Sequence, residues 1–96
     1  HIAIYTLDET SAKRVAQILQ ERQPGLRIDI CADDVVTNRM KSLAQNADMQ
    51  VMVWRCMKHN VFYGITPYIQ EPVRPISRGS SSIVRAIEER AQSLID

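Results

Sequence analysis

The sequence predicts an α/β domain in which β-strands and α-helices alternate and the strands pair in parallel. Two short runs, residues 2–5 and 49–54, are almost continuously apolar, as is typical of strands buried on both faces of a parallel sheet. The segments that follow them carry apolar residues at helical spacing, and strands that alternate with helices pair through right-handed crossovers. Because 96 residues hold one hydrophobic core, we expect a single domain over residues 1–96.

The first half of the chain predicts two strand–helix units. Residues 2–5 form the first strand, and the helix after it has apolar residues one turn apart from 12 to 19, with Thr6 or Thr10 as its cap and Pro24-Gly25 as its stop. Residues 26–30 alternate between apolar and charged side chains, which is typical of a strand at the edge of a sheet. The apolar spacing of residues 36–47 predicts the second helix.

The second half predicts two further units, both limited by proline. Residues 49–54 form the third strand, and residues 61–69 form one face of a third helix that Gly64 weakens and Pro67 kinks or restarts. Residues 73–76 are predicted as a fourth strand at an edge, because Pro75 cannot donate to a ladder. Residues 83–94 carry the clearest amphipathic pattern and predict the last helix.

The hydrophobicity of the four strands predicts their order. The two continuous apolar runs belong at the centre, and the alternating run and the proline-bearing run belong at the edges. The expected fold is a four-stranded parallel sheet of order 2-1-3-4, a Rossmann-like or flavodoxin-like βαβαβαβα arrangement with helices on both faces. Its winding reverses between the first and third strands, and ligands bind outside the carboxyl ends of the strands at such a point.

Composition limits the classes of partner. The chain is 45% hydrophobic and 24% charged, with a formal net charge of +1, so that neither disorder nor bulk attraction to nucleic acid or a membrane is indicated. No membrane span or signal peptide is recognisable, and Cys31 and Cys56 are expected to be free thiols of a cytoplasmic protein. Because a strand starts directly after His1, we expect the domain to be a module of a larger protein, with that protein's other domains as partners.

Three loops are predicted to meet at the carboxyl ends of the strands and to bind a small anion. The loop before the last helix combines a glycine, which lets the backbone approach a ligand, with serines beside unpaired N–H groups. Basic side chains follow the third strand, and Arg55 and Arg78 can bind phosphate or carboxylate bidentately. The predicted ligand-binding residues are Thr6, Asp8, Thr10, Arg55, Lys58, His59, Arg78, Gly79, Ser80, Ser81 and Ser82.

Simpler interpretations account for several of the same residues. Ser80 or Ser81 suits the cap of the last helix, and Asp8 suits the start of the first helix, where an acidic group complements the dipole. Cys56 and His59 have the chemistry of a nucleophile and its base. Neither a metal nor a cofactor is predicted, since a structural zinc needs four ligands and the sequence clusters only two.

Two segments of the second half resemble a bacterial domain family of unknown function. Residues 51–59 read as a hydrophobic strand that ends near His59, and residues 73–82 lead into the Gly-Ser-Ser-Ser turn that opens the last helix. The resemblance implies a Rossmann-like fold in a bacterial protein, often as one module among others, and it brings no established activity. It also implies a regulatory or ligand-sensing role, in a genome-defence setting.

The function expected from these observations is non-catalytic recognition of a small anionic ligand, a nucleotide or a phosphorylated group. The first alternative is a domain for protein interaction or for dimerisation with a second copy, which an exposed apolar patch containing Phe62 and Tyr63 would favour. The second alternative is an enzyme that acts on a phosphate ester through Cys56 or His59.

Overall fold

Three parallel strands form the sheet at the centre of the computed structural model, which describes residues 1–95. β1 (Ile2–Tyr5) lies between β2 (Ile28–Cys31) and β3 (Met49–Met52). Ile2 pairs with Ile28 on one side and with Met49 on the other. The chain is therefore α/β, and the strand order is β2-β1-β3.

The predicted four-stranded sheet of order 2-1-3-4 is wrong, because residues 73–76 do not form a strand. Only Val73 reaches the sheet, as a single parallel bridge to Val51. The Val73 N–H donates to the Gln50 carbonyl at 2.7 Å, and the Val73 carbonyl accepts from the Met52 N–H at 2.9 Å. In a parallel ladder every second residue faces the same neighbour, so the next donor after Val73 would be the N–H of residue 75. This residue is proline and has no N–H, so the ladder does not continue past Val73.

Helices connect the strands and cover the sheet. They are α1 (Glu9–Arg22), α2 (Asn38–Asn46), α3 (His59–Ile65) and α4 (Ser80–Ile95). Short 3₁₀ turns occupy Trp54–Cys56 and Thr66–Tyr68. No helix in residues 1–95 has the length and apolar character needed to cross a bilayer.

Two boundaries in the second half differ from those predicted. β3 ends at Met52 rather than at residue 54, so Trp54 begins a 3₁₀ turn and leaves the sheet. The third helix begins at His59 and stops at Ile65, and Pro67 lies in the separate 3₁₀ turn. Proline lacks the N–H that an α-helix interior requires, so the predicted helix face over residues 61–69 is divided.

Alternate residues of the central strands enter two different cores. Ile2 and Ile4 pack with α1 and α4 on one face, while Ala3 and Tyr5 pack with α2 and α3 on the other. Both faces of β1 are thus covered, which is why the sequence of this strand is apolar at every position.

The main polar group inside the second core is the amide of Gln50, which is 7% exposed. Its Oε1 accepts a hydrogen bond from the Tyr5 hydroxyl at 2.6 Å. Its Nε2 lies 2.6 Å from the Leu43 carbonyl oxygen, with the Ala44 and Ala47 carbonyl oxygens at 3.3 and 3.2 Å. The Leu43 carbonyl also accepts a hydrogen bond from the Ala47 N–H at 2.9 Å. The Ala44 and Ala47 carbonyls lie at the end of α2, where no helical donor follows, so Gln50 caps α2 from within β3. Burial raises the pKa of Tyr5, which keeps its hydroxyl a donor.

We expect Gln50→Leu to reduce the free energy of unfolding by on the order of 3 kcal/mol, because it leaves buried polar groups without partners. Tyr5→Phe leaves fewer buried polar groups without a partner, so it should reduce the free energy of unfolding by about half as much. The double variant should lose less than the sum of the two, since the groups contact each other. Urea denaturation of the four proteins measures this, and strictly additive losses would contradict the arrangement.

Close packing in the second core depends on Gly64 in α3. A Cβ placed at this position would lie 2.5 Å from Cγ2 of Val36, closer than two carbons can approach without movement. Val36 precedes α2 and packs against the same core. The glycine that weakens the helix as a sequence feature therefore allows α3 to approach the loop before α2.

Gly64→Ala should destabilise the fold by about 1–3 kcal/mol through overpacking, although alanine is the better helix former by about 1 kcal/mol. Gly25→Ala is the matched control, because nothing lies within 4 Å of a Cβ there. Thermal unfolding should show a lower Tm for Gly64→Ala alone and partial recovery in Gly64→Ala/Val36→Ala. An unchanged Tm for Gly64→Ala would refute the close approach.

Candidate functional site

The parallel strands bring three loops to one edge of the sheet. The loop after β1 and the turn after β3 are directly joined, because the Leu7 N–H donates to the Cys56 carbonyl at 2.7 Å. The Val53 N–H donates to the Tyr5 carbonyl at 3.1 Å and holds the start of that turn. The chain beyond Val73 runs towards the same edge, since its bridge to Val51 is parallel.

Side chains of the loop after β1 form hydrogen bonds at the start of α1. Thr6 is buried, and its Oγ1 accepts a hydrogen bond from the Asp8 N–H at 3.1 Å. Asp8 is the N-cap and accepts from the N–H of Ser11 at 3.1 Å and from its hydroxyl at 2.8 Å. Thr10 lies exposed in the first turn of α1. The cap is thus Asp8 and not Thr6 or Thr10, and none of these side chains forms a wall of the clefts described below.

The charge of Asp8 connects this loop to the loop before α4. The hydrogen bonds from the Ser11 N–H and hydroxyl lower the pKa of Asp8, and the positive charge of Arg78 lowers it further. The carboxylate that caps α1 thus offsets part of the positive charge of Arg78.

An open cleft of about 400 Å³ lies between the turn after β3 and α3. We call it the aromatic cleft; its lining residues are Trp54, His59, Phe62, Tyr63 and Arg74. Tyr63 is 71% exposed and Trp54 is 47% exposed. Large ring faces are thus open to solvent next to a guanidinium group.

The rings and arginines of the aromatic cleft contact one another. The Tyr63 ring meets Phe62 edge to face at a centroid distance of 5.3 Å and His59 at 6.3 Å. Arg74 places its Cζ 5.4 Å from the centroid of Phe62, and Arg55 places its Cζ 5.0 Å from that of Trp54. Such cation–π contacts orient each guanidinium beside a ring.

A second cleft of about 490 Å³ adjoins the start of α4. We call it the serine cleft; its lining residues are Arg74, Ile76, Ser77, Ser81, Ser82, Arg85, Ala86 and Glu89. Arg74 is shared with the aromatic cleft, so the two clefts are neighbours. Glu89 is the acidic member of this lining.

The serines predicted to bind an anion open the last helix. α4 begins at Ser80, which puts Ser80, Ser81 and Ser82 inside its first turn, and Gly79 immediately before them. The Ser82 hydroxyl accepts a hydrogen bond from the Ser77 N–H at 3.1 Å. Gly79 has no positive φ, and a Cβ there would meet only Ser77 Oγ at 3.8 Å. The backbone at this turn does not require glycine.

The structure brings together some of the predicted site residues and adds others. His59 lines the aromatic cleft, Ser81 and Ser82 line the serine cleft, and Arg55 stacks on Trp54. Lys58 is exposed directly before α3. The sequence prediction missed Trp54, Arg74 and Arg85 as site residues. Two features of the sequence could have indicated these residues: Trp54 is an isolated tryptophan at the end of a predicted strand, and Arg74 and Arg85 flank the serines at the start of α4. All three lie in segments that were predicted as strands or helices.

Cys56 and His59, the candidate nucleophile and base, have different surroundings. Cys56 is partly buried against the core formed by α1 and α4. His59 is exposed at the aromatic cleft and contacts the ring of Tyr63. Among residues 1–95, no three histidine, cysteine or acidic side chains are grouped as a metal site requires.

Comparison with known proteins places the chain in a family. Searches of curated proteins and of solved structures found no significant match. A family model described as DpdD-like matches residues 1–86, which include β1 to β3 and the start of α4. The resemblance to a bacterial-type domain family of unknown function is confirmed at this level, and the motifs proposed for it are untested. The chain belongs to the DpdD-like family.

Proposed function

We propose that this domain is a non-catalytic module that binds a nucleotide at the aromatic cleft. The observation that carries the proposal is the grouping of exposed rings with arginine guanidiniums at one edge of the sheet. Planar bases stack on aromatic side chains and on guanidinium planes, and base–aromatic stacking contributes about 1–3 kcal/mol per base. Trp54 and Tyr63 have the exposure that such a contact needs.

The phosphate of the same ligand is assigned to Arg74 and the serine cleft. Arg74 lines both clefts, so one side chain reaches a base in the first and a phosphate in the second. Arg85 adds a second guanidinium, and Ser81 adds a hydroxyl at the start of α4. Arginine binds phosphate oxygens bidentately with charge-assisted hydrogen bonds. A nucleotide has the matching pair of groups, a flat ring and an anion.

A protein-interaction role is the second candidate, and one observation favours it. Ile76 is 81% exposed at the rim of the serine cleft, and Tyr63 and Trp54 add apolar surface nearby. Aromatic residues and arginine are enriched in protein interfaces as well as in nucleotide sites, so the binding measurements below separate the two roles. Concentration-dependent dimerisation that Ile76→Asp abolishes, with no nucleotide binding, would establish this second role instead.

Binding can be followed through Trp54, the single tryptophan of the chain. Nucleoside monophosphates should quench its fluorescence, whereas inorganic phosphate should not, because stacking needs a ring. Arg74→Ala should weaken binding by roughly ten- to a hundredfold, which corresponds to the loss of a charged hydrogen bond worth about 1.5–3 kcal/mol.

The matched control is Arg27→Ala, which removes the same charge at the amino ends of the strands, directly before β2. Arg27 is exposed and pairs with Asp29, a surface contact worth about 1 kcal/mol or less. Its variant should bind like the parent protein. Equal binding by Arg74→Ala and the parent, or the absence of quenching by any nucleotide, would overturn the proposal.

A further inference from the structure

Positive charge extends well beyond a single phosphate site. Arg55 and Lys58 lie on the β3 side of the aromatic cleft, Arg74 lies between the two clefts, and Arg85 lies on α4. Arg78 is exposed in the loop before α4 and interacts with Asp8. One monophosphate contacts only a few of these groups, so most of the charge has no role with that ligand.

Opposing negative charge at this edge is partly neutralised. Asp8 accepts two hydrogen bonds from Ser11, and the charge of Arg78 lowers its pKa. The exposed Asp33 and Asp34 lie in a loop joined to α3, since the Asn60 amide donates to the Asp34 carbonyl. Among the residues that line the two clefts, Arg74 and Arg85 are the basic groups and Glu89 is the acidic one, so the lining itself has a net positive charge.

The exposure of the rings in the aromatic cleft favours a strand over a single nucleotide as the ligand. Sites for small molecules cover about 70–90% of the ligand surface. Here the principal rings are 47% and 71% exposed, so a bound base would be covered on one side only. A strand compensates for such shallow contacts by stacking several bases and by placing successive phosphates on basic groups.

We propose that the nucleotide site binds single-stranded nucleic acid, with bases on Trp54 and Tyr63 and the backbone following Lys58, Arg74 and Arg85. This inference rests on the proposed function and names its ligand class. A duplex keeps its base faces inside the stack and offers the exposed rings no partner, so the strand must be unpaired.

The test compares oligothymidylate, the same sequence annealed as a duplex, and thymidine monophosphate by Trp54 fluorescence. The oligomer should bind at least about tenfold more tightly than the other two, because several stacking and phosphate contacts add. Its affinity should fall with salt, with a slope of roughly −0.7 for each phosphate neutralised.

Two variants separate a strand from a free nucleotide. Lys58→Ala removes a charge directly before α3, and Arg85→Ala removes a charge on α4 at the serine cleft. Each should reduce the salt slope for the oligomer by about 0.7, while Arg27→Ala leaves it unchanged. Far-ultraviolet circular dichroism and Tm establish that the variants are folded.

Each outcome decides between the two proposals. If thymidine monophosphate binds as tightly as the oligomer, or if the duplex does, the single-strand inference is overturned and nucleotide binding stands. If neither the monophosphate nor the oligomer changes Trp54 fluorescence or Tm, both proposals fail. A slope that Lys58→Ala and Arg85→Ala leave unaltered would overturn the assigned path.

Discussion

The amide of Gln50 joins the two central strands to α2, and the arrangement of that face of the sheet depends on it. One end receives the Tyr5 hydroxyl from β1, and the other donates to the last carbonyls of α2. A buried amide with four partners restricts the positions of the neighbouring elements more than an apolar side chain does, because each hydrogen bond that is not formed costs free energy. It thereby fixes where β3 lies relative to β1, and so where the turn that carries Trp54 leaves the sheet.

The short length of β3 and the prolines around Val73 together create the candidate site. Since β3 ends at Met52, the next residues form a 3₁₀ turn that carries Trp54 and Arg55 to the surface. The segment after Val73 is not part of a β-ladder, so its side chains need not alternate between the two faces of the sheet. Arg74, the first residue of this segment, lies over the ring of Phe62. Arg74 lines both clefts, so the candidate site depends on a segment that does not continue the sheet.

Periodicity carried most of the information on the fold. It identified the βα alternation and the central position of β1, because burial on two faces leaves a continuous apolar run. β3 was also predicted to be central, but among residues 1–95 it is an edge strand of the three-stranded sheet and meets only Val73 on its outer side. It failed at Val73, where one apolar residue between two prolines resembles an edge strand but has donors for only one bridge. The structural role of Gln50 could not be predicted, because it lies within an apolar run of the sequence. Its role depends on carbonyl groups at the end of α2, and a hydrophobic pattern does not show where these groups lie. Trp54 was likewise assigned to the strand, so the candidate site was predicted from basic residues and serines without its rings.

If the proposed ligand binds at this end of the sheet, stacking rather than net charge supplies much of the selectivity. The whole chain carries a formal charge of +1, so long-range attraction of a polyanion is weak, and salt screens it over about 8–10 Å. The basic groups act only once a ligand is within contact distance of the clefts. Ring contacts are less sensitive to salt, and they distinguish ligands by whether a flat face is accessible. We therefore expect the domain to discriminate against both a duplex and a bare phosphate, because each lacks one of the two features assigned in our proposal to Trp54 and Arg74.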